Sequence, residues 1–305
     1  MNWLLYQAGR LLIAFVQAWP LDWVARMGRV AGAIGWMLDG RHRRVALSNL
    51  ERVFGTVKTA SERRAIAREN FLRLGENYLC ALKTASMSSS QIEKRLEWIG
   101  LDQLPKGFDS VVGVIGHFGN FELFARVREV MPGWTAATTY RALRQPGLNR
   151  VFQDLREASG TLFFERRSES EALRQAMSRG RILLALLSDQ HAGDKGAWLP
   201  FLGVPCSCST APALLALRYR SVLTSAICYR VGLARWRIEV GAPIPTQCPD
   251  GTPRDIEDIT REATMRLEEA VQRDPANWFW VHRRWKPQSR HQAAKEGFGP
   301  RVTPP

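Results

Sequence analysis

Residues 111–122 read Val-Val-Gly-Val-Ile-Gly-His-Phe-Gly-Asn-Phe-Glu, and this stretch limits the fold more than any other in the chain. Val111, Val112, Val114 and Ile115 favour a buried strand. Gly116 and Gly119 let the backbone turn sharply and approach a ligand. Residues 121–130 then carry apolar side chains at helical spacing. A strand, a glycine loop and a helix in that order are the opening unit of an α/β fold, and the loop at the strand's carboxyl end is where such folds place their chemistry. His117 and Glu122 sit at this junction. On one continuous helix five steps would set them roughly 140° apart. They meet only if His117 lies on the loop and Glu122 on the first turns of the helix. A neutral imidazole oriented by a carboxylate is a general base for a hydroxyl; a capped surface histidine is the alternative for an isolated His.

The rest of the chain repeats the alternation. Strands are predicted at residues 111–115, 135–139, 161–164, 182–187, 222–229 and 236–240. Helices are predicted at residues 121–130, 148–159, 168–178, 211–219 and 255–273. This spacing argues for an α/β fold with a mostly parallel central sheet flanked by helices, in which the strand around Trp236 need not be parallel. Four helices are predicted ahead of it, at residues 3–19, 21–38, 44–54 and 61–83. Gly28, Gly32 and Gly35 suit the second of these to close helix packing. The chain divides into an N-terminal membrane-associating helical segment (1–40), an α/β domain (41–287) and a tail (288–305).

The membrane assignment rests on the first helix. Asn2, Tyr6, Gln7, Gly9, Arg10 and Gln17 gather within about 160° of the wheel, and the other face is Leu, Ile, Phe, Val, Trp and Ala. Such a helix lies in the interface. Its 17 residues rise only about 25 Å against a hydrocarbon core of about 30 Å, although a marginal single span stays open. Arg41-His42-Arg43-Arg44 after these helices indicates the cytoplasmic side. A formal net charge of +14 calls for an anionic partner, and 11 tryptophans favour a membrane over nucleic acid, for which no aromatic-basic recognition motif is present. Five cysteines, none in a Cys-x-x-Cys pair, and scattered histidines offer no zinc spacing. Cys206 and Cys208 alternate on one extended segment and read as packing.

Two further groups converge on the carboxyl edge of a parallel sheet. Arg141 follows the second strand, and Arg156 lies on the next helix; arginine forks bind phosphate or carboxylate. Asp189 and Gln190 end the 182–187 strand, able to hold those arginines or touch a substrate. The apolar run 198–203 suits acyl or membrane contact and ordinary packing equally. No Gly-x-Ser-x-Gly elbow, phosphate-binding loop or dinucleotide fingerprint occurs, which favours direct attack by a hydroxyl over a covalent acyl-enzyme.

His117-Phe-Gly-Asn-Phe-Glu122 resembles the His-x4-acid motif of the lipid A biosynthesis acyltransferases, the late lauroyl and myristoyl transferases. Further blocks match in order: residues 43–54, Tyr140-Arg141 through Asn149, Arg156 and Gly160, Asp189-Gln190, residues 200–203 and residues 280–286. The resemblance implies a glycerolipid-acyltransferase-like fold. His117 and Glu122 would be the catalytic residues, with Asn120, Arg141, Arg156, Asp189 and Gln190 binding substrate. Asn120, backbone N–H groups near Gly119, and Arg156 are candidate oxyanion donors; His191 stays outside the catalytic set. A fatty acyl thioester on acyl carrier protein or coenzyme A would be co-substrate, with no cofactor and no metal. The acceptor would be an anionic lipid A precursor at the cytoplasmic face of the inner membrane. A glycerolipid, aminolipid or mannosylated phosphoinositide acceptor is the alternative; a non-catalytic basic membrane- or nucleic-acid-binding module is the rival of another class.

Overall fold

Helix α2 (Leu21–Leu38) and helix α4 (Ala60–Thr84) meet backbone to backbone, and glycine makes this possible. A Cβ on Gly28 would stand 2.5 Å from the Gly75 carbonyl, one on Gly32 2.2 Å from that of Phe71, and one on Gly75 2.1 Å from that of Gly28. Gly35 has ordinary room. The computed structural model describes residues 2–142, 145–157, 159–166 and 168–288, without the side chains of residues 2, 148, 152, 156 and 157. Around the α2–α4 pair lie α1 (Asn2–Ala18), α3 (Gly40–Phe54) and the short α5 (Ser89–Glu93). Local signals set the boundaries. Pro20 separates α1 from α2, Asp39 accepts from the His42 amide at the start of α3, and Thr59 with Glu62 forms a capping box on α4.

Helix α1 is turned inside out relative to an ordinary surface helix. Two of its polar side chains look inward, as does the buried Val16: Tyr6 Oη donates to Asp154 and Gln17 Nε2 to the Leu82 carbonyl. Its apolar face looks outward, with Trp3 67% and Leu11 71% exposed. Trp23, Val30, Ile34, Met37 and Leu38 of α2 are exposed as well. Among the described residues no helix is long and apolar enough to cross a membrane.

Seven strands form the central sheet: β1 (Leu96–Ile99), β2 (Ser110–Ile115), β3 (Thr135–Tyr140), β4 (Leu162–Glu165), β5 (Ile182–Leu187), β8 (Val222–Gly232) and β9 (Arg235–Val240), in the order β1-β9-β8-β2-β5-β3-β4. From β8 to β4 all neighbours are parallel. β9 returns antiparallel to β8 through a tight hairpin, and β1 runs with β9. Six strands stand where the apolar runs predict them. β1 carries only four residues at the sheet edge and lacks a buried run. The helices α6 (Pro146–Glu157), α7 (Ser170–Arg179), α8 (Ala211–Tyr219) and α9 (Ile256–Arg273) make the crossovers and flanks. Residues 121–130 differ from expectation: Phe121–Glu129 is wound as 3₁₀ turns rather than as an α-helix.

Residues 198–203 resolve in favour of packing. β6 (Ala197–Phe201) pairs with β7 (Val204–Cys208) in a separate hairpin, burying Leu199 and Phe201. Against this hairpin runs the last described part of the chain, residues 277–286, as an irregular strap. Trp278, Trp280, Arg284 and Trp285 are buried. Asn49 Nδ2 donates to the carbonyls of Trp280 and His282, at 2.8 Å each, and Asn70 Nδ2 to those of Ala276 and Trp278. The Arg284 guanidinium donates to the Ser207 carbonyl and, at 3.1 Å, reaches Cys208 Sγ.

Candidate active site

The loop leaving β2 is pinched between β5 and the strap. A Cβ on Gly116 would come within 2.6 Å of the Phe118 ring and 3.2 Å of Asp189 Cβ. Gly119, at φ +52°, sits 2.6 Å (at its would-be Cβ) from the Cys228 carbonyl. This closeness sets His117 directly against the residue that ends the neighbouring strand. Asp189 accepts from the His117 amide at 2.9 Å, and its Oδ1 lies 2.8 Å from His117 Nδ1. Trp278 Nε1 donates to Asp189 Oδ2 at 2.8 Å. Burial alone would raise the Asp189 pKa. The His117 ring, the His117 amide and the Trp278 indole outweigh it and hold the carboxyl down to about 2. An anionic Asp189 assigns the imidazole proton to Nδ1 and leaves the Nε2 lone pair as the base. Phe279 stacks on the ring at 5.4 Å between centroids and Phe121 meets its edge at 5.0 Å, so the imidazole is held on three sides.

His117 opens onto a cavity of about 750 Å³. Part of its lining is apolar: Ile115, Phe124, Ala125, Val127, Ala136, Leu183 and Ala185. It follows β3 from Ala136 to Tyr140, about 13 Å at the rise of a strand. Its mouth is polar, with Glu122, Arg141, Arg166, Gln190 and Lys286 among its walls. Gln190 Nε2 lies 3.4 Å from His117 Nε2. Burial and the neighbouring Arg141 both lower the Arg166 pKa, the mark of two cations facing one space.

The chain matches the model of one family, "Bacterial lipid A biosynthesis acyltransferase", over residues 1–287. The chain belongs to that family. It is 26% identical to the lipid A biosynthesis palmitoleoyltransferase of Escherichia coli (strain K12), over 296 residues covering 93% of this chain and 91% of that protein. It is equally similar, over the same shares, to a lipid A biosynthesis acyltransferase of Shigella flexneri. The protein is thus an O-acyltransferase.

In this acyltransferase the residues singled out from sequence fall into three groups. His117, Glu122, Arg141 and Gln190 share the large cavity, and Asp189 stands behind His117. Asp189 meets His117 because the register of β2 against β5 pairs Ile115 with Leu187 and so aligns the two loops. Asn120 does not line the large cavity: buried, it donates to Thr84 Oγ1 and borders a small cavity of about 20 Å³ that His117 and Glu122 also line. The Gly119 amide, a candidate oxyanion donor, is taken by the Asn277 carbonyl at 3.2 Å. Arg156 is on α6, with its side chain outside the described residues, as is Arg144. Sequence reasoning passed over Trp278, Phe279 and Arg166. The aromatic-then-basic run at 278–286 is the signal the sequence offers for the strap.

Proposed function

We propose that this acyltransferase moves a fatty acyl chain from an acyl thioester to a hydroxyl of a lipid A precursor, with His117 as general base and no covalent intermediate. The observation that carries the proposal is the pairing of the buried Asp189 carboxylate with the half-buried His117 ring, which faces a cavity lined in part by apolar side chains. The acceptor O–H gives its proton to His117 Nε2 while its oxygen attacks the thioester carbonyl. The tetrahedral oxyanion collapses, the C–S bond breaks, and the departing thiolate takes the proton from the imidazolium. Asp189 steadies the cation that forms on His117. The Gln190 amide, beside Nε2, is the nearest side-chain donor for the oxyanion. The apolar part of the lining receives the acyl chain, and Arg141 together with Arg156 holds an anionic head group. Glu122, on the cavity wall, acts on substrate placement. The thioester is a co-substrate, and the chemistry calls on no resident cofactor.

The donor is carried by acyl carrier protein or coenzyme A; an acidic carrier suits the +14 charge. The outward apolar faces of α1 and α2 lie in the cytoplasmic leaflet of the inner membrane, bringing the cavity to a lipid acceptor. The test is acyl transfer by the purified chain from a labelled acyl thioester to a lipid A precursor, with glycerolipid, aminolipid and phosphoinositide acceptors in parallel. Transfer to the lipid A precursor that vanishes in His117→Ala is the expected result. Near-wild-type turnover in that variant ends the mechanism, and exclusive use of another acceptor replaces the substrate. Lipid extracts of cells lacking the protein give the same discrimination in vivo.

A further inference from the structure

Beyond Gln190 the cavity wall carries three basic side chains that the acyl-transfer chemistry does not use: His191, His282 and Lys286, with Ser209 beside them. They come from two elements, the exit of β5 and the strap. The His191 amide donates to His282 Nε2 at 3.4 Å. His282 Nε2 is therefore an acceptor, and the ring's Nδ1–H is its remaining donor. His191 Nδ1 is buried and has no hydrogen-bond partner among the described residues. A buried polar atom without a partner is costly and marks a position where a ligand group fits. Lys286 is exposed at the rim, and its charge is felt by both imidazoles. Burial, with Lys286, His117 and Arg284 adding to it against Asp189, holds His282 down to about 4. Of the acids near this wall, Asp189 is engaged by His117 and Trp278 and Asp194 is exposed, while Glu122 and Glu165 line the same cavity.

We propose that His191, His282 and Lys286 form a binding site for a phosphate ester carried by one of the two substrates. Two imidazole donors and an ammonium within one wall match an anion with several acceptor oxygens. Lysine serves such a group as a point charge. The site lies one residue beyond Gln190, so a phosphate seated there fixes the substrate's approach to His117 Nε2. The inference rests on the acyl-transfer reading for the identity of the substrates: a phosphorylated acceptor lipid and a donor whose thioester arm ends in a phosphodiester both carry this chemistry.

The test is equilibrium binding, by calorimetry on the full chain in neutral detergent, of two soluble probes and their dephosphorylated counterparts. One pair is a phosphorylated glucosamine disaccharide and the plain disaccharide; the other is coenzyme A and pantetheine. Lys286→Gln, His282→Gln and Lys286→Arg are compared with the wild type, with circular dichroism to verify folding. Lys286→Gln and His282→Gln are expected to weaken one phosphorylated probe by about ten-fold or more, the loss of one charge-assisted contact. Its dephosphorylated counterpart should bind unchanged, and Lys286→Arg should restore part of the loss. A defect confined to the disaccharide phosphate assigns the site to the acceptor; one confined to coenzyme A assigns it to the donor. Unchanged binding of every probe overturns the proposal. So does equal loss with and without phosphate, or a wild type that prefers neither phosphorylated probe. No turnover is measured, so failure of the acyl-transfer reading would appear in the activity assay and not here.

Discussion

The two ends of the chain are built from the same kinds of residue and meet opposite fates. Helix α1 and its exit carry Trp3, Tyr6, Phe15 and Trp19, and the strap carries Trp278, Phe279, Trp280 and Trp285. At the first end Trp3, Phe15 and Trp19 are exposed and Tyr6 is half-buried; in the strap the three tryptophans are buried. What separates them is where the polar partners lie. Asn49 and Asn70 take the strap's carbonyls, Pro275 O accepts from Trp280 Nε1, and Asp189 accepts from Trp278 Nε1. Aromatic side chains can sink there because their N–H groups and the backbone are satisfied. In α1 the inward face is the one with hydrogen-bonding side chains, and that leaves the apolar face outside. Aromatic content thus accompanies an exposed apolar face at one end and core packing at the other, where the strap stacks Phe279 on His117 and donates from Trp278 to Asp189.

The comparison is broken most forcefully by truncating a strap tryptophan. Trp280→Ala removes a fully buried indole and is expected to cost about 3–5 kcal/mol in chemical denaturation. A cost below about 1 kcal/mol would mean that the strap is not core. The matching change on α1 acts on partitioning instead. Leu11→Ser is expected to lower binding to anionic vesicles by roughly 10–100-fold, the loss of one apolar side chain worth about 1.5–3 kcal/mol in the lipid. Deleting residues 2–19 should extend this loss and leave a core that folds; full vesicle retention after deletion would move the anchor elsewhere.

A smaller effect links the strap to pH. The folded Asp189 carboxyl titrates near 2, below its ordinary value of 3.8, so its stabilisation is complete above about 4 and fades as the pH falls from 3.8 toward 2. The difference is worth about 2 kcal/mol. Asp189→Asn should therefore show a shallower loss of stability than the wild type between pH 5 and pH 2, and Trp278→Phe should fall between them. Identical acid limbs would detach Asp189 from the pair. The smallest effect closes the series: Trp3→Ala, though a large truncation, should change stability in solution by no more than about 0.5 kcal/mol.

Much of this arrangement was legible in the sequence. The runs 111–115 and 182–187 are apolar throughout, as strands buried on both faces must be, and the glycines around His117 announce a loop built for close approach. The outward face of α1 was readable from its wheel. What remained hidden was adjacency. Nothing local says that β5 is the neighbour of β2, and only that neighbourhood brings Asp189, 72 residues away, onto His117. Spacing singles out Glu122, which is close in sequence and lines the same cavity as His117. Residues 121–130 have helical periodicity, and periodicity does not distinguish 3₁₀ from α winding over nine residues. The strap has no periodic pattern at all; its place is set by asparagines on α3 and α4 more than 200 residues earlier.

The central claim is that Asp189, not Glu122, orients the catalytic imidazole, and steady-state kinetics on Asp189→Asn and Glu122→Gln test it most directly. Both are measured with a saturable acyl thioester and acceptor. Asp189→Asn is expected to lower kcat by about 10²–10⁴-fold with KM nearly unchanged, because the base loses its tautomer and its counter-charge. Glu122→Gln is expected to act chiefly on KM. A wild-type kcat in Asp189→Asn, with kcat lost in Glu122→Gln, would contradict the account and return the orienting role to the carboxylate of the His-x4-acid motif.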